Sequence, residues 1–248
     1  MINIKLTIAY DGTRFLGWQK TKEGLSIEES LQTVLEQIIQ EPVVLQAASR
    51  TDAGVHAQGQ IVNFFTSKAP IDTYRLHLSL NSLLPKDIIV RQVETMPMLF
   101  HPTLDCAGKE YHYWICTEKA QLPLHRFYSW HCPYSLDKAE MEKAAGCLIG
   151  VHDFQAFCNE VKNAQYENYI REVTAIEIHE RPLQRLQIVV KGNHFLYKMV
   201  RNLVGVLVYV GRGKIQGNAV SAILQSRDRK QAGVTAPAHG LTLYQVFY

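Results

Sequence analysis

The sequence has no long apolar run: the longest, "LVGVLVYV" at 203–210, falls well short of the about 20 residues that a membrane-spanning helix needs. It has no C-x-x-C pair. Its five cysteines, Cys106, Cys116, Cys132, Cys147 and Cys158, form an odd set with gaps of ten or more residues, which argues against a disulfide framework and against a zinc site. The opening "MINIKLTIAYDG" shows no basic region followed by an apolar block and a cleavage site. No export signal is read there, so the cytoplasm is the expected compartment. Strong charge of one sign is also missing, the formal net being +3. What the chain does have is 248 residues, 47% of them hydrophobic, enough for a core in one large domain or two modest ones. Its charge is uneven. Residues 1–105 carry 9 Lys+Arg against 11 Asp+Glu, net −2, and residues 106–248 carry 17 against 12, net +5, so a polyanion would be met mainly by the second half.

Periodicity predicts two similar halves, 1–105 and 106–248. In the first, "NIKLTIAY" (3–10) alternates as a strand. "SIEESLQTVLEQIIQ" (26–40) opens with Ser26 and Glu29 in capping-box spacing and continues with Ile27, Leu31, Val34, Leu35 and Ile38 as a helical stripe. Strands at 43–49 and 59–66, a helix over 72–84 and a strand at 87–93 complete a β-α-β-β-α-β unit of ferredoxin-like type. The second half repeats the order: a strand at 110–117, a helix over 137–149, strands at 171–180 and 185–192, a helix over 195–210 and a closing strand at 241–248, with extra pieces at 118–135 and 151–168. The fold class is α+β, and a cleft between two such halves is where a site is expected.

Three segments carry candidate chemistry. "ASRTDAGVHAQGQ" (47–59) places Arg50, Thr51, Asp52, Gly54 and His56 in one short connection. It reads either as a turn with Gly54 at positive φ or as a held, reactive carboxylate. A carboxylate beside a guanidinium stays ionised well below neutral pH, which suits a nucleophile. Asp52 and His56 have metal-ligand spacing only on a helix, and the glycines oppose one. In "GNHFLYKMVRNLVGVLVYVGRG" (192–213), Lys198 and Arg201 stand at i,i+3 on an otherwise apolar helix. A partly buried Arg201 needs a carboxylate, and Asp52 is the candidate. In "KEYHYWICT" (109–117), alternation puts Tyr111, Tyr113 and Ile115 on one face and His112 and Trp114 on the other. Such aromatics serve as core or as stacking platforms for unpaired bases.

Together these segments closely resemble the TruA type of tRNA pseudouridine synthases, almost end to end. The matching pieces are "YDGTRFLGWQ" (10–19), "RTDAGVHAQGQIVNF" (50–64), "NSLLPKDI" (81–88), "FHP" (100–102), "YHYWI" (111–115), "FLYKMVRNLVG" (195–205) and "TAPAHGLTL" (235–243). The resemblance implies two ferredoxin-like halves forming a continuous mixed, mainly antiparallel sheet flanked by helices, with a central cleft. It implies that Asp52 is the catalytic carboxylate, that Arg201 pairs with it, and that Tyr111 lies against the target uracil. Leu241 would line the pocket, and Arg50 would help move the target nucleotide. The implied reaction is isomerisation of uridine to pseudouridine at positions 38, 39 and 40 of the tRNA anticodon arm, by a homodimer, with tRNA as partner and without cofactor or metal. Three positions depart from the family pattern: Ser49 stands where Gly is usual, Thr103 where an RNA-contacting Arg is common, and in "YENYIRE" only Arg171 stays in register. These touch RNA contacts rather than the carboxylate. The rival readings are a non-catalytic RNA-binding protein of the same fold, and a hydrolase with an Asp nucleophile, for which no metal cluster, Ser-His-Asp set or phosphate-cradling loop is evident.

Overall fold

The computed structural model describes residues 1–160 and 166–248. Of the insertion expected at 151–168, residues 161–165 lie outside the described residues. The chain divides into two compact units, residues 1–107 with 242–248, and residues 108–241. Both are α+β.

The first unit runs β1 (Ile2–Tyr10), α1 (Ile27–Ile39), β2 (Gln46–Ala47), β3 (His56–Thr66), α2 (Thr73–Leu83) and β4 (Ile88–Met96). Its strands lie in the order β4-β1-β3, with β2 on the far edge of β3, and every one of these pairings is antiparallel. That is the ferredoxin-like order expected from the element sequence. Alternation buries Ile4, Leu6, Ile8 and Tyr10 of β1, the period-2 signature of a strand with one covered face. Ser26 caps α1 by accepting the Glu29 N–H, satisfying one of the orphan donors of its first turn. The helix buries Ile27, Leu31, Val34, Leu35 and Ile39. Ile39 is buried where Ile38 was expected, and Ile38 is only half-buried; ideal helical spacing does not account for this exchange.

The second unit contains β5 (Gly108–Cys116), β6 (Trp130–His131), α3 (Lys138–Gly146), β7 (Gly150–Asp153), β8 (Ile170–Arg181), β9 (Arg185–Gly192), α4 (Met199–Gly211) and α5 (Ala219–Ser226). Its strand order is β5-β9-β8-β7, all antiparallel, with β6 parallel to β5. The last strand, β10 (Leu241–Phe247), groups with the first unit from Thr242 onward. There it pairs in parallel with the start of β3, Thr242 with His56 and Leu243 with Ala57.

Several boundaries differ from the periodic reading, each for a non-local reason. The strand expected at 43–49 shrinks to Gln46–Ala47, and the Ala47 carbonyl takes the Thr103 hydroxyl at 2.8 Å in place of a longer ladder. β3 starts at His56 rather than Gly59 because β10 supplies a partner there, approaching so closely that a Cβ on Gly59 would sit 2.5 Å from the Tyr244 carbonyl oxygen. The helix expected from 195 starts at Met199, since Lys198 adopts a left-handed conformation, φ +59°. Lys198 therefore shares no helical face with Arg201. α5, not anticipated, buries Val220, Ile223 and Leu224 at helical spacing.

Leu35→Ala is expected to cost about 2–5 kcal/mol in urea unfolding, whereas Ile38→Ala should cost less than about 1 kcal/mol. Equal losses at the two positions would contradict the phase of α1.

Candidate active site

Asp52 sits in the connection between β2 and β3, in a turn that main-chain hydrogen bonds hold. Its carbonyl accepts the Val55 N–H at 3.1 Å, and Gly54 between them has φ +79°, the type II turn that an Asp-Ala-Gly sequence favours. Residues 11–18 close over this turn. The Trp18 N–H donates to the Thr51 carbonyl at 3.0 Å and the Gly54 N–H to the Phe15 carbonyl at 3.4 Å. The hydroxyls of Tyr10 and Thr51 are 2.8 Å apart. Two glycines make this approach possible. Gly17 has φ +94°, and a Cβ there would stand 2.6 Å from the Thr51 carbonyl oxygen; on Gly12 it would stand 2.0 Å from that of Val55. Neither neighbour can yield, because both are main chain. The motif "YDGTRFLGWQ" thus acquires a task that its sequence alone did not disclose.

The other residues of the loop fall into place around this contact. Ser49, where the family pattern has Gly, exchanges both backbone groups with the Gln60 amide, at 3.2 and 2.6 Å, and its φ is not positive, so no glycine is needed. Arg50 is exposed and Asp52 half-buried, both on the same short connection. His56 is buried at the start of β3, where its Nδ1 accepts the Gly12 N–H at 3.1 Å. That nitrogen also lies 3.2 Å from Asp11 Oδ1, but one nitrogen cannot accept from an amide and donate to a carboxylate at once. We assign it as the acceptor, since the Gly12 amide can only donate. His56 therefore serves the clamp.

The second unit holds the other three predicted residues. Tyr111 lies on β5 opposite Val190. It is 6% exposed, and its ring meets Phe195 edge-on, centroids 5.2 Å apart at 85°, an arrangement aromatic quadrupoles favour. Tyr113, two residues on and on the same face, is fully buried and donates its hydroxyl to the Pro237 carbonyl at 2.8 Å. Burial pushes that phenol well above its ordinary pKa, against the opposing pull of the Arg201 guanidinium, so the hydroxyl stays a donor. Arg201, on the first turn of α4, donates Nε–H to the Ala236 carbonyl at 2.7 Å. The Ala236 N–H returns a bond to the Arg201 carbonyl at 3.1 Å. The segment 234–240 is thereby tied to α4 and β5 alike: the Val234 carbonyl lies over Gly205, and Gly240 packs on the Tyr113 ring. Buried Leu241 follows directly. The unit thus brings Tyr113, Arg201 and the segment ending in Leu241 together, with Tyr111 two positions along β5.

A family model described as tRNA pseudouridine synthase matches residues 6–105 and 144–248. The match includes Arg50, Asp52, Arg201 and Leu241, and leaves Tyr111 outside it. The chain is 58% identical over 248 residues to a protein named tRNA pseudouridine synthase A 2 from Protochlamydia amoebophila, covering 100% of this chain and 95% of that one. It is 42% identical to the tRNA pseudouridine synthase A of Thermoanaerobacter sp. strain X514, with 100% of both chains covered. To the one from Chlamydia muridarum it is 39% identical over 247 residues, covering 99% and 91%. A likeness to a solved archaeal box H/ACA sRNP Nop10-Cbf5 complex, at 12% identity and a TM-score of 0.38 over 83% of this chain and 43% of that one, is too small to carry a conclusion.

Gly17→Ala should destabilise the protein by about 1–3 kcal/mol through strain at a position that needs positive φ. Gly146→Ala, at the end of α3 with nothing within 4 Å of the added carbon, should be neutral or stabilising by up to about 1 kcal/mol. Thermal or urea unfolding of the two variants checks this. Equal stability would mean that residues 12–17 do not press on the Asp52 turn.

Proposed function

The chain belongs to the tRNA pseudouridine synthase family, and on that premise we propose that it isomerises uridine to pseudouridine at positions 38, 39 and 40 of the tRNA anticodon arm, with Asp52 as the reacting carboxylate. The observation that carries the role of Asp52 is the clamp around its turn. A turn whose backbone is held from two directions keeps the Cα of Asp52 in place while a nucleotide arrives and leaves, which favours a group that must meet a reacting atom.

The reaction breaks the bond between uracil N1 and the ribose C1′, turns the base, and forms a bond from C5 to C1′. The C5 proton is released to solvent and N1 gains one. Every heavy atom of uridine is retained, so the step calls for neither an oxidant nor a hydrolytic water. An ionised Asp52 adds to the pyrimidine ring on one route; on the other it assists departure at C1′ and takes up a proton there. Arg201 is proposed to keep that carboxylate charged, its guanidinium aimed by the Nε bond to Ala236. Tyr111, braced by Phe195, is proposed to stack on the detached ring. Arg50, exposed beside the turn, is placed in the sequence to meet the phosphate of an incoming nucleotide, and Leu241 supplies an apolar wall. The target nucleotide leaves its stack to react, at a cost of a few kcal/mol, offset by phosphate contacts of the more basic second half.

The working form is proposed to be a homodimer in the cytoplasm, where tRNA is met. No described helix is long and apolar enough to cross a membrane. Val44, Leu99 and Leu104 are highly exposed in the first unit, and the Thr103 to Ala47 bond brings the chain beside Leu104 to that beside Val44. A second copy would cover them. Sedimentation equilibrium at micromolar concentration should show a dimer that Leu99→Lys weakens; a monomer at all concentrations would refute it.

With unmodified tRNA tritiated at uridine C5, the protein should release label, and Asp52→Asn should release none while binding tRNA as tightly as before. Full turnover by the Asn variant would end the proposal. Binding of tRNA by the wild-type protein with no release of label would favour the reading of a non-catalytic RNA-binding protein.

A further inference from the structure

A second cation of the same unit lies behind Arg201 and has no part in the chemistry just described. Arg229, in the turn after α5, reaches four neutral acceptors. Its Nε donates to Asn159 Oδ1 at 3.2 Å and its Nη1 to the Gly233 carbonyl at 2.9 Å. Its Nη2 donates to Asn202 Oδ1 at 2.7 Å and Thr235 Oγ1 at 2.6 Å. The Thr235 hydroxyl passes its own proton to Asn202 Oδ1 at 2.7 Å. Fully buried Asn202 donates its amide to the Phe157 carbonyl at 2.7 Å and to Asn159 Oδ1 at 2.8 Å. Every direction in this network is consistent, and no donor faces a donor.

No carboxylate pairs with this guanidinium among the described residues, and burial lowers its pKa accordingly. A partly buried cation without a counter-charge is an expensive way to gain stability alone. What it provides instead is reach. Only a planar fork with five donors can tie three chain segments at fixed angles, and a lysine in its place could not. The segments it ties bear directly on Arg201. Asn202 follows Arg201 on α4, and Thr235 precedes Ala236, the residue that takes the Arg201 Nε–H and returns its own N–H. Gly233 and Thr235 flank Val234, whose carbonyl lies where Gly205 leaves room.

We propose that Arg229 is a positioning residue for Arg201: by gripping Asn202 and Thr235 it fixes both ends of the Arg201–Ala236 link, and so the direction of the Arg201 guanidinium. The inference rests on the reading that Arg201 acts on Asp52. It assigns Arg229 no contact with the substrate.

The test is a mutant cycle followed by tritium release under saturating and limiting tRNA. Arg229→Lys keeps the charge and loses the fork; Thr235→Val removes one hydroxyl from the grip and keeps the shape. Melting curves define temperatures at which each variant is folded. Arg229→Lys should lower kcat roughly ten- to a hundredfold with KM for tRNA changed less than about twofold, and Thr235→Val should lower kcat by a smaller factor. In an Arg201→Met background, where no guanidinium is left to direct, adding Arg229→Lys should cost less than about threefold more. Losses that multiply across the cycle, or a change in KM with kcat intact, would overturn the assignment. If Arg201→Met alone left kcat unchanged, the fault would lie instead in the role given to Arg201. Should Arg229→Lys fail to fold, Thr235→Val in the two backgrounds decides by the same criterion.

Discussion

The contact on which the rest depends is main chain against main chain, between residues 12–17 and the turn at 51–55. Two peptide segments can approach this closely only where side chains are missing from one of them, and Gly12 and Gly17 supply the gaps. Main-chain hydrogen bonds from Trp18 and Gly54 then close the contact. Because the touching atoms belong to backbone, nothing can relax by rotating a side chain. A turn fixed in this way holds its carboxylate far more firmly than a surface loop could, and a group that must meet a reacting atom benefits from that stiffness.

The second unit solves a related problem by another means. Its segment 233–241 has no regular structure for most of its length, yet it is held at five residues: by Arg229 at Gly233 and Thr235, by Arg201 at Ala236, by Tyr113 at Pro237 and Gly240. A polar network that is fully satisfied rigidifies its surroundings, and one that is half satisfied does not. The aromatic strand β5 and the cationic first turn of α4 are thereby joined through a stretch of loop, with Leu241 at its end.

Much of this was legible in the sequence. The β-α-β-β-α-β order, the Ser26 cap and the alternation of Tyr111, His112, Tyr113 and Trp114 follow from local periods, and the positive φ of Gly54 follows from its place in the turn. What could not be read depends on partners far along the chain. The motif holding Gly12 and Gly17 was visible as a motif, but its contact with residues 51–55 spans about forty positions, and no period reports such a distance. The same holds for β3, lengthened by a strand from the other end of the sequence, and for Arg229, which in "SRDRKQAG" looks like one more solvated cation. Lys198 misled for a different reason: a non-glycine residue in the left-handed region breaks a helical pattern that its composition continues. At Ser49 and Thr103, departures from the family pattern, the Ser49 main chain bonds the Gln60 amide, which any residue there could do, and the Thr103 hydroxyl bonds the distant Ala47 carbonyl.

The proposed reading reduces to one requirement: the Arg201 cation supports the reaction of the Asp52 carboxylate. The most direct measurement is the single-turnover rate at saturating tRNA for the wild type, Arg201→Lys and Arg201→Met. If the reading holds, Arg201→Met loses at least about tenfold in rate and Arg201→Lys, which keeps the charge, loses less. A rate for Arg201→Met equal to that of the wild type would contradict it.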